Sequence, residues 1–125
     1  MTPTAAGGHF TSQARVVHAA GLDEAALVAE PLDPCQILSG PSEVRHLPLV
    51  EGGDLIVGIW QHAPGTSTDV EADEIFVVLT GRATVAIHAG PTLDVGPGDV
   101  VLLPAGVQTV WIVHQTLRKV YVART

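Results

Sequence analysis

From Val44 onward the chain breaks into short apolar runs separated by Gly, Pro and acidic residues. Eight of these runs read as strands: Val44 to Val50, Leu55 to His62, Ile75 to Leu79, Ala83 to His88, Thr92 to Val95, Val100 to Leu103, Thr109 to His114 and Leu117 to Ala123. Turn residues stand between them, as in Glu51-Gly52-Gly53-Asp54, Thr80-Gly81-Arg82, Ala89-Gly90-Pro91 and Gly96-Pro97-Gly98-Asp99. Gly90, Gly96 and Gly98 are expected at positive φ, where a side chain would clash. Regular spacing of this kind predicts an all-β sandwich or barrel, and the lack of an internal repeat makes it a single one.

Ahead of this region the pattern is weaker. Residues 1–13, rich in Thr, Ala, Gly and Ser, are expected to form a flexible N-terminal arm, leaving 14–125 as one domain. Arg15 to Ala19 reads as a short strand, and Asp23 to Glu30 as one or two helical turns capped by Asp23 and stopped by Pro31.

Composition narrows the class. With 125 residues, 46% apolar and 15% charged, the chain can bury one core but not two. A net charge of -7 with only six Lys and Arg argues against nucleic acid and against an anionic membrane surface. The single cysteine, Cys35, excludes an intramolecular disulfide and multi-cysteine zinc patterns, and is expected to be a buried inert thiol. No run reaches the roughly 18 apolar residues of a membrane span, so the expectation is a soluble cytoplasmic protein.

Two segments carry the chemistry: Asp73-Glu74-Ile75-Phe76-Val77-Val78-Leu79-Thr80-Gly81, and Gly98 to Thr109 with Pro104 and Gly106 at fixed spacing. Together with Gly58-Ile59-Trp60, Val110-Trp111 and Arg118 to Val122, they resemble the two motifs of the cupin superfamily. Among cupins, the chain is most similar to the small single-domain proteins related to ureidoglycine aminohydrolase and the ethanolamine-utilisation cupins. The resemblance implies a double-stranded β-helix (jelly-roll) barrel with a short N-terminal helical segment, a homodimer, and a pocket at the barrel mouth. It also implies a divalent metal held by three His and one Glu. Only Glu74 has a counterpart, because Ser67-Thr68-Asp69 or Thr68-Asp69-Val70 stands where the His-x-His pair should be and Thr109 where the last His should be. Hydroxyls bind transition metals poorly compared with imidazole, so no metal cofactor is predicted; if one binds, its ligands are Glu74 and His62.

The residues expected to line a ligand pocket are Trp60, His62, Glu74, Phe76, Thr109 and Trp111. Glu74 shares strand parity with Phe76 and Val78, Thr109 with Trp111, and Trp60 with His62. Glu74 is the best candidate for a hydrogen-bond acceptor or general base, the aromatics for apolar walls and Thr109 for a hydroxyl contact. Each also has a plain structural role open to it: core filling for Trp111, structural hydrogen bonds for Glu74. His114 has the opposite parity and is expected outside, with His88 at an exposed strand end. Asp69, Glu71 and Asp73 read as a solvated rim, or Asp69 pairs with His62 as an acid-base dyad. Lys119 and Tyr121 share one face of the last strand, free to meet a substrate anion or a partner subunit. The function expected is a small-molecule-binding cupin without the standard metal. The alternatives are a divalent-metal enzyme acting on a nitrogenous or carboxylate metabolite, or a scaffold with a filled barrel.

Overall fold

The computed structural model describes residues 14–125, so the arm expected over residues 1–13 lies outside the described residues. Among the described residues nine strands form in chain order: β1 Val28–Ala29, β2 Ile37–Ser39, β3 Val44–Gly52, β4 Leu55–His62, β5 Gly65–Val70, β6 Glu74–Ile87, β7 Thr92–Val95, β8 Val100–Leu103 and β9 Gln108–Arg124.

Two long strands organise the rest. β9 pairs through Gln108 to Val113 with β5 and through Leu117 to Arg124 with β4. Its other edge runs antiparallel to β6 from Glu74↔Ala123 to Ile87↔Thr109. The first part of β6 pairs with β8 and the second with β7. One face of the barrel therefore runs β1-β3-β4-β9-β6-β8 and the other β2-β5-β9-β6-β7, sharing the two long strands. This is a jelly-roll barrel curled from antiparallel pairs, in which closure protects most strand edges.

The curl requires β6 to bend, and its register against β9 shifts between Val78 and Ala83. Gly81 sits in that bend at φ 91°, and a Cβ there would overlap the carbonyl oxygen of Thr116. Only glycine meets both demands. The core between the two faces is built on Phe76, Val78, Val85, Val101, Leu103, Trp111, Val113 and Leu117. On the outer side, Arg118 is 6% exposed: it bonds Gln61 and the carbonyl oxygens of Ala19, Ala20 and Leu22, pinning the segment ahead of β1 to the sheet.

Several expectations are corrected here. The helical segment expected over Asp23 to Glu30 is reduced to a single 3-10 turn at Glu24–Ala26, and a second such turn forms at Pro34–Gln36, because each Asp cap is followed by only three residues before extended chain resumes. Arg15 to Ala19 forms no strand. Of the three turn glycines, Gly98 takes positive φ (88°), while in the neighbouring turn it is Ala89 and not Gly90 that does so (56°). Cys35 is exposed, not buried, and its hydrogen bond with Asp33 pushes the thiol up. Among the described residues no helix is long and apolar enough to cross a membrane.

Candidate functional site

A cavity of about 190 Å³ opens between the two faces of the barrel, lined among others by Trp60, Ser67, Asp69, Glu71, Glu74, Trp111, Lys119 and Tyr121. Alternation along the strands explains its composition. On β9 the inward parity of Trp111 continues past the exposed residues His114 to Thr116 to Leu117, Lys119 and Tyr121, and on β6 Glu74 points inward with Phe76 and Val78.

At its centre stands Lys119, a residue whose charge needs compensation when buried. Its Nζ donates to Glu74 Oε2 at 2.6 Å, with the two side chains 5% and 11% exposed. The ammonium also lies 4.2 Å from the Phe76 ring centroid, 4.4 Å from that of Trp60 and 4.7 Å from that of Trp111. A carboxylate and three π-faces together replace the water that the cation has lost.

Glu71, expected on the solvated rim, is instead buried. Its Oε2 accepts from Thr109 Oγ1 at 2.6 Å and from Trp111 Nε1 at 3.0 Å. Asp69 stays exposed at the mouth. Partial desolvation, and then the charge of Glu71, hold its carboxyl above the ordinary range.

His62 is fully buried behind Ser67. Its Nδ1 lies 2.5 Å from the Ala63 carbonyl, which can only accept, so Nδ1 carries the proton. Nε2 is then the acceptor for the Ser67 hydroxyl at 2.9 Å. Burial, and secondarily the positive charge of Lys119, lower the His62 pKa and favour this neutral form. The bond to Ser67 replaces the dyad with Asp69 that the sequence left open.

At the other side of the mouth Tyr121 hydrogen-bonds His46 Nε2, and His46 Nδ1 meets Glu30 Oε2 at 3.1 Å. Burial raises the Tyr121 pKa well above its ordinary value, keeping the phenol protonated.

Of the six pocket residues expected from sequence, Trp60, Glu74 and Trp111 line the cavity. Phe76 lies beneath Lys119, Thr109 reaches the cavity through Glu71, and His62 reaches it through Ser67. His114 and His88 are exposed. Ser67 and Glu71 escaped the sequence reading. The signal for Ser67 was its place in the motif slot of a missing His, and nothing in the pattern marked Glu71 as buried.

The donor set does not fit the divalent metal that the cupin resemblance implies. Glu74 is satisfied by an ammonium, His62 by a hydroxyl and a carbonyl, and among the described residues no three His, Cys, Asp or Glu side chains cluster in a way that could hold a metal ion.

Comparisons with known proteins place this architecture. No curated protein matches the chain. Among solved structures, a candidate ethanolamine utilization protein Q from Salmonella typhimurium is similar at 28% identity and a TM-score of 0.59, over 67% of this chain and 71% of that one. A protein of unknown function from Pseudomonas syringae pv. tomato is similar at 26% identity and a TM-score of 0.71, over 79% of this chain but 44% of that one. A cupin superfamily protein from Desulfitobacterium hafniense shares the fold at 16% identity and a TM-score of 0.66, over 95% and 98% of the two chains. The sequence profile of the EutQ-like cupin domain matches residues 49–121, which include both motifs and most of the cavity wall, and the chain belongs to that family.

Proposed function

We propose that this cupin binds a small nitrogen-bearing metabolite in a cavity that needs no metal. The observation that carries the reading is the Lys119–Glu74 pair at 2.6 Å inside a cage of aromatic rings. The protein supplies its own cation at Glu74, the one counterpart here of the metal ligands that the cupin resemblance implies. Three carboxylates, Asp69, Glu71 and Glu74, share the cavity with this one ammonium. The resulting field favours a ligand carrying a positive charge or several N–H donors, and the indole faces favour one that is partly apolar. A small amino alcohol is one such ligand, and the similarity to an ethanolamine utilization protein makes that class the first to try.

Thermal unfolding across a panel of small amines, amino alcohols and matched carboxylates tests this. Amines should raise Tm with a concentration dependence equivalent to about 2.7 kcal/mol at a hundred times Kd, and Glu71→Gln should abolish the gain. Carboxylates should have no effect. If no amine stabilises the protein, and untagged protein carries near-stoichiometric Mn, Fe, Zn or Ni that Glu74→Gln loses, the divalent-metal enzyme replaces this reading.

We also infer a homodimer, in the reducing cytoplasm that suits an exposed free thiol at Cys35. The support is the outer surface of the β4-β9-β6-β8 sheet, where Ile75, Val77, Val100, Leu102 and Val122 are 37–71% exposed. Ile75 stands beside both Leu102 and Val122, and Val77 beside Val100, so the patch is continuous. A two-fold partner would cover the same patch on both copies. Leu102→Asp should convert a dimer to a monomer in sedimentation velocity with no change in far-UV circular dichroism. A wild-type monomer at all concentrations would end the inference.

A further inference from the structure

We propose that Ser67 and His62 form a nucleophile–base dyad facing the cavity, suited to acyl transfer from a small ester that carries an amine. Two contacts that activate a serine are present. The Ser67 hydroxyl points to His62 Nε2 at 2.9 Å, and His62 Nδ1–H is fixed by the Ala63 carbonyl at 2.5 Å, a backbone group standing where other serine enzymes place a carboxylate. Ser67 lines the cavity, and His62 is fully buried and unable to reorient toward water. A low imidazole pKa keeps Nε2 free to take a proton at neutral pH.

The neighbouring groups supply the remaining roles. Lys119 Nζ spends one N–H on Glu74 and holds a positive charge in the same cavity, where the carbonyl oxygen of a substrate would become an oxyanion. Asp69 and Glu71, which line the same cavity, receive the amine. Ser67 Oγ bonds to the acyl carbon as its proton passes to His62 Nε2. The C–O bond to the leaving alcohol then breaks, and the alcohol takes that proton. Water attacks the acyl-serine in turn, giving a proton through His62 back to Ser67 Oγ and releasing the acid. The choice of an amine-bearing ester rests on the ligand class proposed above, whereas the dyad itself does not.

Methanesulfonyl fluoride separates the two, because it is small, carries no amine and sulfonylates activated serines with loss of fluoride. Full-length protein should gain one adduct, mapped to Ser67 by peptide mass spectrometry and absent from Ser67→Ala. Labelling of folded His62→Gln should be slower by at least about 100-fold. The labelling rate should follow a single deprotonation below the ordinary imidazole range. Lys119 is the charge acting on His62, while Asp69, Glu71 and Glu74 share the cavity, so the profile must also disappear in the His62 variant. If that variant does not fold, the wild-type profile decides, and a rate that rises only in the range of phenols and amines overturns the dyad. Absence of a Ser67 adduct on folded protein, or equal labelling of wild type and His62→Gln, also overturns it. Either result leaves the thermal shift with amines free to stand.

Discussion

Lys119→Met should destabilise the fold by about 3–5 kcal/mol, lowering Tm by roughly 10–20 °C, because it leaves the Glu74 carboxylate without its counter-charge in a largely dry cavity. The substitution keeps most of the volume and the apolar stem, so the loss is not a packing loss. It removes the ion pair at 2.6 Å and the contacts of the ammonium with three rings. A second substitution separates an unpaired charge from general damage. With Glu74→Gln added, no buried charge is stranded, and an amide against the rings costs far less than a carboxylate. The double variant should therefore recover more than half of the lost stability in urea unfolding. A Lys119→Met protein as stable as wild type, or a double variant no better than the single one, would show that the pair is incidental to the barrel. The same experiment bears on metal. With Lys119 gone, Glu74 is released, and if the barrel retained a latent metal site the single variant would acquire Mn, Fe, Zn or Ni that wild type lacks.

How much of this was legible in the sequence depends on what each residue's pattern encodes. The apolar runs located six of the nine strands found among the described residues, all but β1, β2 and β5, and parity together with the cupin resemblance put Glu74, Trp60 and Trp111 on the inner face. The β5 strand was missed because Gly65-Thr66-Ser67-Thr68-Asp69-Val70 has almost no apolar alternation; it is held by its ladder to β9 and by the polar contacts of Ser67. Ile75 to Leu79 and Ala83 to His88 read as two strands joined by a turn, yet they are one bent strand, since a glycine at positive φ marks a sharp bend and a reversal alike. Lys119 and Tyr121 were placed correctly on one face, but parity cannot say which face is inside, and a lysine is ordinarily outside. The burial of Glu71 was invisible because it depends on donors from Thr109 and Trp111, some 40 residues away in the chain. The helical segment expected over Asp23 to Glu30 failed for the opposite reason: its Asp23 cap is real but too few residues follow to propagate a helix.

The bend at Gly81 is the point where fold and site depend on one residue. β6 delivers Glu74 and Phe76 to one face of the barrel before the bend and Val85 to the other after it. Gly81 and Gly98 have nearly equal φ, 91° and 88°, but a Cβ at Gly98 would meet nothing within 4 Å while one at Gly81 would overlap Thr116 and touch Leu117. Alanine at either position bears the backbone strain of about 1–3 kcal/mol. At Gly81 β6 and β9 must also separate, which should take the loss beyond about 4 kcal/mol. Denaturant unfolding of Gly81→Ala and Gly98→Ala side by side isolates the second contribution. Because the β6–β9 ladder also sets the distance between Glu74 and Lys119, Gly81→Ala should lose the amine-induced gain in Tm even under conditions where it is folded, whereas Gly98→Ala should keep it. Equal destabilisation of the two variants would mean that the bend is soft and that the cavity is positioned by the ion pair and aromatic contacts alone.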